Sequence, residues 1–466
     1  DIDIASAGGF IPFLRMLHAR QGAIVTSNLP YENTISVADS EIMKSTLQVG
    51  DRPIGLFKFL EPLFGDDQFQ IYDAERDSKF KKVIRPAFSH EVLMAKYEDM
   101  RSVGIDLIKR LEESLNSQDN VIIKLQEQCL EYSLRVTSKA LISSDTSQDF
   151  DFKKFKQSYD AALSGLFDNQ FGMLNDEREK DFQQSLDSFL TALDKLIKDR
   201  RNMNIEPTAV KDFLDILLTE NDPDTGCPFS DEKIRNHVNG YLTAGYHTTG
   251  AAIPFTLFAL TQNPEVKARL QEEIDEVLQN RLPTLEGMDY YNELYNSNKD
   301  DKFIKLPIIY HATKDLSKMD YLTQVIKETL RVYPVATFCA RLIKTETTFP
   351  KAVENFKAQA GTTIIYCIPL YHENPSYFPN PKKFDPSRFS RENVKNIKPN
   401  TYCPFGFGAR ICPGERLAMI DIKIMVCMLV QKFDFELAMK LEDVQMEERF
   451  VVMAKNDILI KFKPRR

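Results

Sequence analysis

No run of about eighteen apolar residues occurs in this 466-residue chain, so the sequence holds no helix able to span a membrane. Cysteine is sparse and scattered. The seven cysteines (Cys129, Cys227, Cys339, Cys367, Cys403, Cys412 and Cys427) are odd in number and form no C-x-x-C pair. That spacing points to neither a disulfide framework nor a zinc site, and it fits a reducing compartment. Basic excess is missing too: a net charge of -8 and a pI near 5.5 give no support to nucleic-acid binding. What is present is apolar mass, 43% of residues, enough for a sizeable core. The length exceeds that of a typical single-core domain. The chain starts at Asp1 rather than at methionine, which leaves room for an upstream anchor or targeting segment.

The richest chemistry lies in Phe405 to Gly414, Phe-Gly-Phe-Gly-Ala-Arg-Ile-Cys-Pro-Gly. Gly406, Gly408 and Gly414 allow tight turns and close approach to a flat ligand. Arg410 stands two residues before Cys412, and a helix-forming run, Glu415 to Val430, follows. A helix starting just behind a cysteine brings its positive dipole end near the sulfur. The alternative is an inert cysteine buried in a glycine-rich turn. Phe405, Gly408, Arg410, Cys412 and Gly414 together closely resemble the haem-binding signature of the cytochrome P450 family.

A second motif sits in a long helical run that starts at Ser230, with Asp231 and Glu232 in its first turn, and ends at Asn263-Pro264. At about 1.5 Å per residue it spans roughly 45 to 50 Å and must cross the molecule. Its centre, Leu242-Thr-Ala-Gly-Tyr-His-Thr-Thr-Gly250, offers Ala244 and Gly245 as small residues against which a flat ligand or O2 can lie. Thr248 places a hydroxyl one turn on, able to hydrogen-bond locally. Relatives usually have an acid where this chain has His247, and a minority shares the histidine. Close helix packing around a satisfied histidine is the competing reading. Pro254, inside the same run, is expected to bend it.

A third motif, Lys327-Glu-Thr-Leu-Arg-Val-Tyr-Pro334, sets Glu328 and Arg331 three apart on one helical face. Any surface helix can hold such a pair. Phe384-Asp-Pro-Ser-Arg-Phe389 resembles the family's Pro-x-Arg-Phe, in which Arg388 completes a buried network with the other two. Arg341 resembles a propionate-binding arginine, and Val335 to Phe338 a substrate wall. From Asp77 to Phe88, Asp77 and Lys81 stand where relatives carry Trp or His and then Arg. Lysine can meet a propionate as a point charge; aspartate should be repelled unless it faces away. A solvated basic face of Lys79, Lys81 and Lys82 is the alternative.

Other segments say less. Ile24, Val25 and Ile35 to Val37 flank Asn28-Leu-Pro30 as a hairpin. The loop aromatics Phe57, Phe59, Phe64, Phe69 and Tyr72 line a substrate chamber in the family or simply pack beneath the loop. Residues 91 to 201 read as long helices. Gly165 to Asn175, with Phe167, Phe171, Gly172 and Met173, resembles a mobile lid. Arg281 to Lys314 reads as a polar surface insertion, mainly over 283–310. Ala418 and Asp421 fall where relatives have Ala-x-x-Glu, and Phe450 to Met453 reads as a strand reaching the chamber.

The resemblance covers essentially the whole chain. It implies one domain over 1–466, mainly α: a triangular helical prism around haem b, with a small β-rich side mainly at 20–50 and 335–370. It implies monooxygenation of an apolar substrate such as a sterol, fatty acid, terpenoid or xenobiotic. Electrons would come from NADPH through a P450 reductase, with cytochrome b5 a second candidate donor. Cys412 would be the axial ligand whose electron density promotes O–O cleavage, held by Phe405 packing and by backbone N–H groups near Gly406 and Gly414. Arg410, Arg341 and Lys81 would bind propionates. Thr248 with His247, beside Ala244 and Gly245, would manage protons. The implied setting is the cytoplasmic face of the endoplasmic reticulum membrane, with peripheral or anchored contact. A haem-thiolate isomerase or dehydratase acting on a peroxide is one alternative, which Thr248 argues against; a non-enzymatic haem or gas-binding protein is another.

Overall fold

The structure is a computed structural model, and it describes residues 9–29, 32–49, 51–116, 118–143, 151–170, 174–203, 210–278, 315–316, 318–349, 356–448 and 451–465. The longer helices are α1 (Phe10–Gln21), α2 (Ala74–Ile84), α3 (Tyr97–Asn116), α4 (Leu125–Ile142), α5 (Phe152–Gln170), α6 (Asp176–Arg201), α7 (Asp231–Gln262), α8 (Pro264–Leu278), α9 (Asp320–Val332) and α10 (Glu415–Lys432). The strands used below are β1 (Ile24–Leu29), β2 (Glu32–Val37), β3 (Val121–Lys124), β4 (Phe338–Leu342), β5 (Thr363–Cys367), β6 (Phe433–Leu437), β7 (Met446–Glu448), β8 (Val452–Ala454) and β9 (Leu459–Pro464).

Helix α7 organises the rest because it has no polar face to give to solvent. Its 32 residues begin where the Ser230 hydroxyl accepts the Lys233 N–H at 3.2 Å and stop at Asn263, before Pro264. The helix continues through Pro254. Between residues 236 and 260 every residue is buried except Ala244, Gly245 and Thr248. Helix α4 packs so closely on α7 that a Cβ on Gly245 would lie 2.7 Å from Thr137, and one on Gly250 2.8 Å from Leu130. Contacts that short are sterically excluded, so these two glycines let the backbones of α4 and α7 approach.

The β-rich side holds a four-stranded sheet in the order β1-β2-β5-β4. The β1–β2 hairpin is antiparallel, with Ile24 opposite Val37; β2 and β5 run parallel; β4 and β5 are antiparallel, with Arg341 opposite Ile364. This register fixes Arg341 at the edge of the sheet that faces the cysteine loop. A second sheet, β3-β9-β6, closes the far side. The short β7–β8 pair is tied to the segment after α9 by the Val452 N–H, which donates to the Val335 carbonyl at 2.9 Å.

Part of the expected lid is ordinary helix. Helix α5 runs through Gly165, where a Cβ would meet the Phe182 ring of α6 at 2.5 Å, so that glycine serves helix packing. Phe171, Gly172 and Met173, residues 283–310 and Phe450 lie outside the described residues.

Candidate active site

The cysteine loop is built by its glycines. Gly406 and Gly408 have φ of +74° and +61°, backbone that favours glycine. At Gly408 a Cβ would sit 2.0 Å from the Leu47 carbonyl, which instead accepts the Ala409 N–H at 2.8 Å. The loop closes where the Cys412 N–H donates to the Phe405 carbonyl at 2.9 Å. Gly414 forms the N-cap of α10, and its N–H hydrogen-bonds the cysteine sulfur. The Cys412 side chain keeps an accessible surface although protein atoms surround it on most sides. Burial pushes its thiol up, Glu415 adds to the rise, and the Gly414 N–H, Lys81 and Arg52 oppose it.

Four cations surround this loop. Arg410 is buried and pairs with Asp77 at 2.5 Å while donating to the Tyr72 carbonyl. Lys81 pairs with Asp77 at 2.9 Å and donates to the Ala409 carbonyl at 3.0 Å. Arg341 is buried over the Phe407 ring, donates through Nη2 to the Phe407 carbonyl at 2.8 Å, and leaves its Nε without a hydrogen-bond partner among the described residues. Arg52 acts electrostatically on Cys412, Asp77, Arg410 and Arg341. Burial lowers all four, Arg410 to about 10, with the neighbouring Arg52 adding to that last shift and Asp77 opposing it. Asp77 pairs with two of these four cations and so balances the cluster only in part.

Asp77 does not face away, as the resemblance required. Helix α2 turns it inward beneath Arg410, while Lys79 points to solvent and pairs with Glu75. The solvated basic face is therefore only Lys79 and Lys82; Lys81 lies instead between Asp77 and the cysteine loop. Arg52 was missed in the sequence. Its one local signal is a lone arginine at the head of an aromatic, proline-bearing loop.

On α7, Ala244 and Thr248 share a face four residues apart, and the Thr248 hydroxyl donates to the Ala244 carbonyl at 2.7 Å. Both are half-exposed in an otherwise buried helix, so this face of α7 is less closely covered than the rest. Gly245 instead faces α4, and the Ser133 hydroxyl bonds its carbonyl at 3.2 Å. His247 packs against Tyr246, with ring centroids 4.0 Å apart, and near Tyr159 of α5. Burial, helped by the charge of Lys156, lowers its pKa to about 3. Among the loop aromatics, Phe64 and Tyr72 are buried, Tyr72 against His237, and Phe69 lies on Tyr241 at 4.6 Å. Those three pack beneath the loop.

Glu328 and Arg331 are fully buried and bidentate, with Nε–Oε2 and Nη2–Oε1 both at 2.8 Å. Arg388 reaches the same carboxylate at 3.4 Å, and the Asp385 N–H donates to its Oε1 at 2.8 Å. Arg331 also donates to the carbonyls of His372 and Pro381, each at 2.8 Å. His372 went unnoticed in the sequence, since a single histidine carries no spacing signal. Its Nε2 accepts the Cys403 N–H at 3.1 Å, so the proton sits on Nδ1, which faces the Arg331 carbonyl at 3.1 Å. The network is thereby joined to the loop bearing Cys412.

The donor set fits haem: one accessible cysteine against a backbone that only glycine can form, small side chains on the facing helix, and a cation cluster that Asp77 only partly balances, with an orphaned Arg341 Nε suited to propionates. Fold and site together define a haem-thiolate protein. The cytochrome P450 family model matches residues 3–294 and 308–462, and the chain belongs to the cytochrome P450 family. It is accordingly a haem-dependent monooxygenase. Similar proteins include human cytochrome P450 4V2, 26% identical over 477 residues covering 98% of this chain and 83% of that protein, and cytochrome P450 3A30 of Fundulus heteroclitus, 27% identical over 429 residues covering 88% and 78%. Among solved structures, a cytochrome P450 (CYP102L1) superposes with TM-score 0.80 at 21% identity over 100% of this chain and 99% of that one. The cytochrome P450DA heme domain gives 0.79 at 20% identity over 100% and 94%.

Proposed function

We propose that this P450 carries haem b and inserts one oxygen atom into an apolar substrate (a sterol, fatty acid, terpenoid or xenobiotic), with electrons from NADPH through a reductase partner and cytochrome b5 as a second donor. The observation that carries the reading is the accessible Cys412 in a glycine-built loop beside the buried Arg341 and Arg410 and the half-buried Lys81 and Arg52. When bound, the haem supplies O2 activation, one atom going to substrate and the other leaving as water. Cys412 would hold the haem iron through its sulfur; Phe405, Gly406 and Gly414 shape its loop, and the Gly414 N–H would steady the sulfur's negative charge. Arg341, Arg410, Lys81 and Arg52 would hold the propionates. Glu328, Arg331 and Arg388 brace the loop from behind through His372.

Thr248 holds and passes a proton at its Oγ1, which is anchored on the Ala244 carbonyl when the proton is not engaged. His247, neutral at working pH, positions the turn that carries Thr248 by packing against the tilted Tyr246 ring; Ala244 keeps its face of α7 open. The whole chain forms one P450 domain, with 283–310 as a surface insertion. Membrane contact at the cytoplasmic face of the endoplasmic reticulum is part of the proposal; among the described residues no helix is long and apolar enough to cross a membrane. A panel of sterols, fatty acids and terpenoids tests the reading: at least one class should shift the haem spin state and be oxygenated with NADPH and reductase. Spin-state shifts with no oxygenated product in any class would sink it.

A further inference from the structure

The cation cluster already contains a carboxylate. Asp77 is 4% exposed and uses both oxygens: Oδ1 on Arg410 at 2.5 Å and Oδ2 on Lys81 at 2.9 Å. Both partners are also fixed to backbone, Arg410 on the Tyr72 carbonyl and Lys81 on the Ala409 carbonyl. Neither cation can therefore swing far from where Asp77 holds it. The other nearby acid, Asp51, is engaged by Lys344 at 2.8 Å and by the Ala74 N–H at 3.1 Å. Among the described residues no carboxylate makes an ion pair with Arg52 or Arg341. The cluster thus divides in two. Arg52 and Arg341 are open to an incoming anion, whereas Arg410 and Lys81 are shared with an anion that belongs to the chain.

We propose that Asp77 is a resident third carboxylate of the propionate cluster, which shares Arg410 and Lys81 with the haem and so loosens haem retention and lowers its reduction potential. This rests on the haem-thiolate reading above. A fixed negative charge close to two propionates repels them, and it disfavours the added electron of the ferrous state. Asp77 also shields the cluster before haem arrives, because four cations, Arg341 and Arg410 buried and Arg52 and Lys81 half-buried, would repel one another without an internal anion. It acts through Arg410 and Lys81 and is a positioning residue.

The test uses the full haem-loaded chain and the variants Asp77→Asn and Asp77→His, measuring haem transfer to an excess of a haem-scavenging apoprotein and the midpoint potential. Both variants should release haem about three- to tenfold more slowly, and the midpoint should rise by up to about 59 mV, a tenfold shift in a one-electron equilibrium. A residue that only pins α2 to the loop would give faster haem loss with no rise in potential. Unchanged or faster loss in both variants, with thiolate ligation intact, overturns the proposal. So does failure of both to fold, which would assign Asp77 to folding alone. Absence of a thiolate-ligated haem spectrum in the unsubstituted protein would instead overturn the haem reading itself.

Discussion

The backbone N–H of Cys403 donates to Nε2 of His372 at 3.1 Å, and through that imidazole the loop bearing Cys412 is joined to the Arg331 carbonyl. Removal of the ring leaves a buried N–H and a buried carbonyl without partners, at about 1–3 kcal/mol each. His372→Ala should therefore lower the urea midpoint and reduce haem content in purified protein. His372→Asn, which can accept and donate in similar places, should recover part of both. Equal loss in the two variants would show that ring packing, not the hydrogen-bond bridge, is what matters.

Glu328, at 0% side-chain exposure, is the carboxylate that both Arg331 (0%) and Arg388 (12%) face. Glu328→Ala strands those charges in the interior at a cost of about 3–5 kcal/mol, so little folded, haem-loaded protein should accumulate. An exposed helix pair would cost under about 1 kcal/mol. Near-normal expression of haem-loaded Glu328→Ala would contradict the buried geometry.

Buried ionisable groups shape the pH dependence in opposite directions. His237, His247 and His372 each fall to about 3, chiefly through burial. The unfolded chain then binds more protons, and stability should drop as pH falls from about 6.5 towards 3, by roughly 1.4 kcal/mol per pH unit for each group. Asp421 is raised to about 8 by burial, with Tyr132 opposing. It ionises more readily when unfolded, so its contribution is intact below about pH 4 and is lost as pH rises to about 8. Asp421→Asn should be more stable than the parent at pH 7.5 and near parity at pH 4.5, by urea denaturation. A difference independent of pH would remove Asp421 from the account.

Thr248→Ala removes the hydroxyl anchored on Ala244 and should lower product formed per NADPH by roughly tenfold or more, with substrate affinity retained. His247→Asn should leave the shape of the pH–rate profile between pH 6 and 8 unchanged, because the imidazole is neutral throughout that range. An inflection near pH 6.5 that disappears in His247→Asn would restore it as a titrating proton carrier.

The sequence showed most clearly what is local. The glycine turn around Cys412, the limits of α7 at Ser230 and Asn263 and the Glu328–Arg331 face all depend on neighbours within a few residues. The cation cluster is different: Arg52, Lys81, Arg341 and Arg410 come from distant segments, and only packing brings Asp77 between them. Gly245 illustrates the same limit, since a small residue can admit a ligand or a neighbouring helix, and Thr137 of α4 decides which. The low pKa of His247 depends likewise on burial against α5 and on Lys156, neither of which is visible in the motif around Thr248.

The central claim is that Cys412 holds the haem iron. The reduced, CO-bound protein should show the strongly red-shifted Soret band of thiolate-ligated haem. Cys412→Ser should lose that band, while Cys403→Ser and Cys427→Ser, whose sulfurs are buried elsewhere, should keep it. An unaltered red-shifted band in Cys412→Ser would contradict the account.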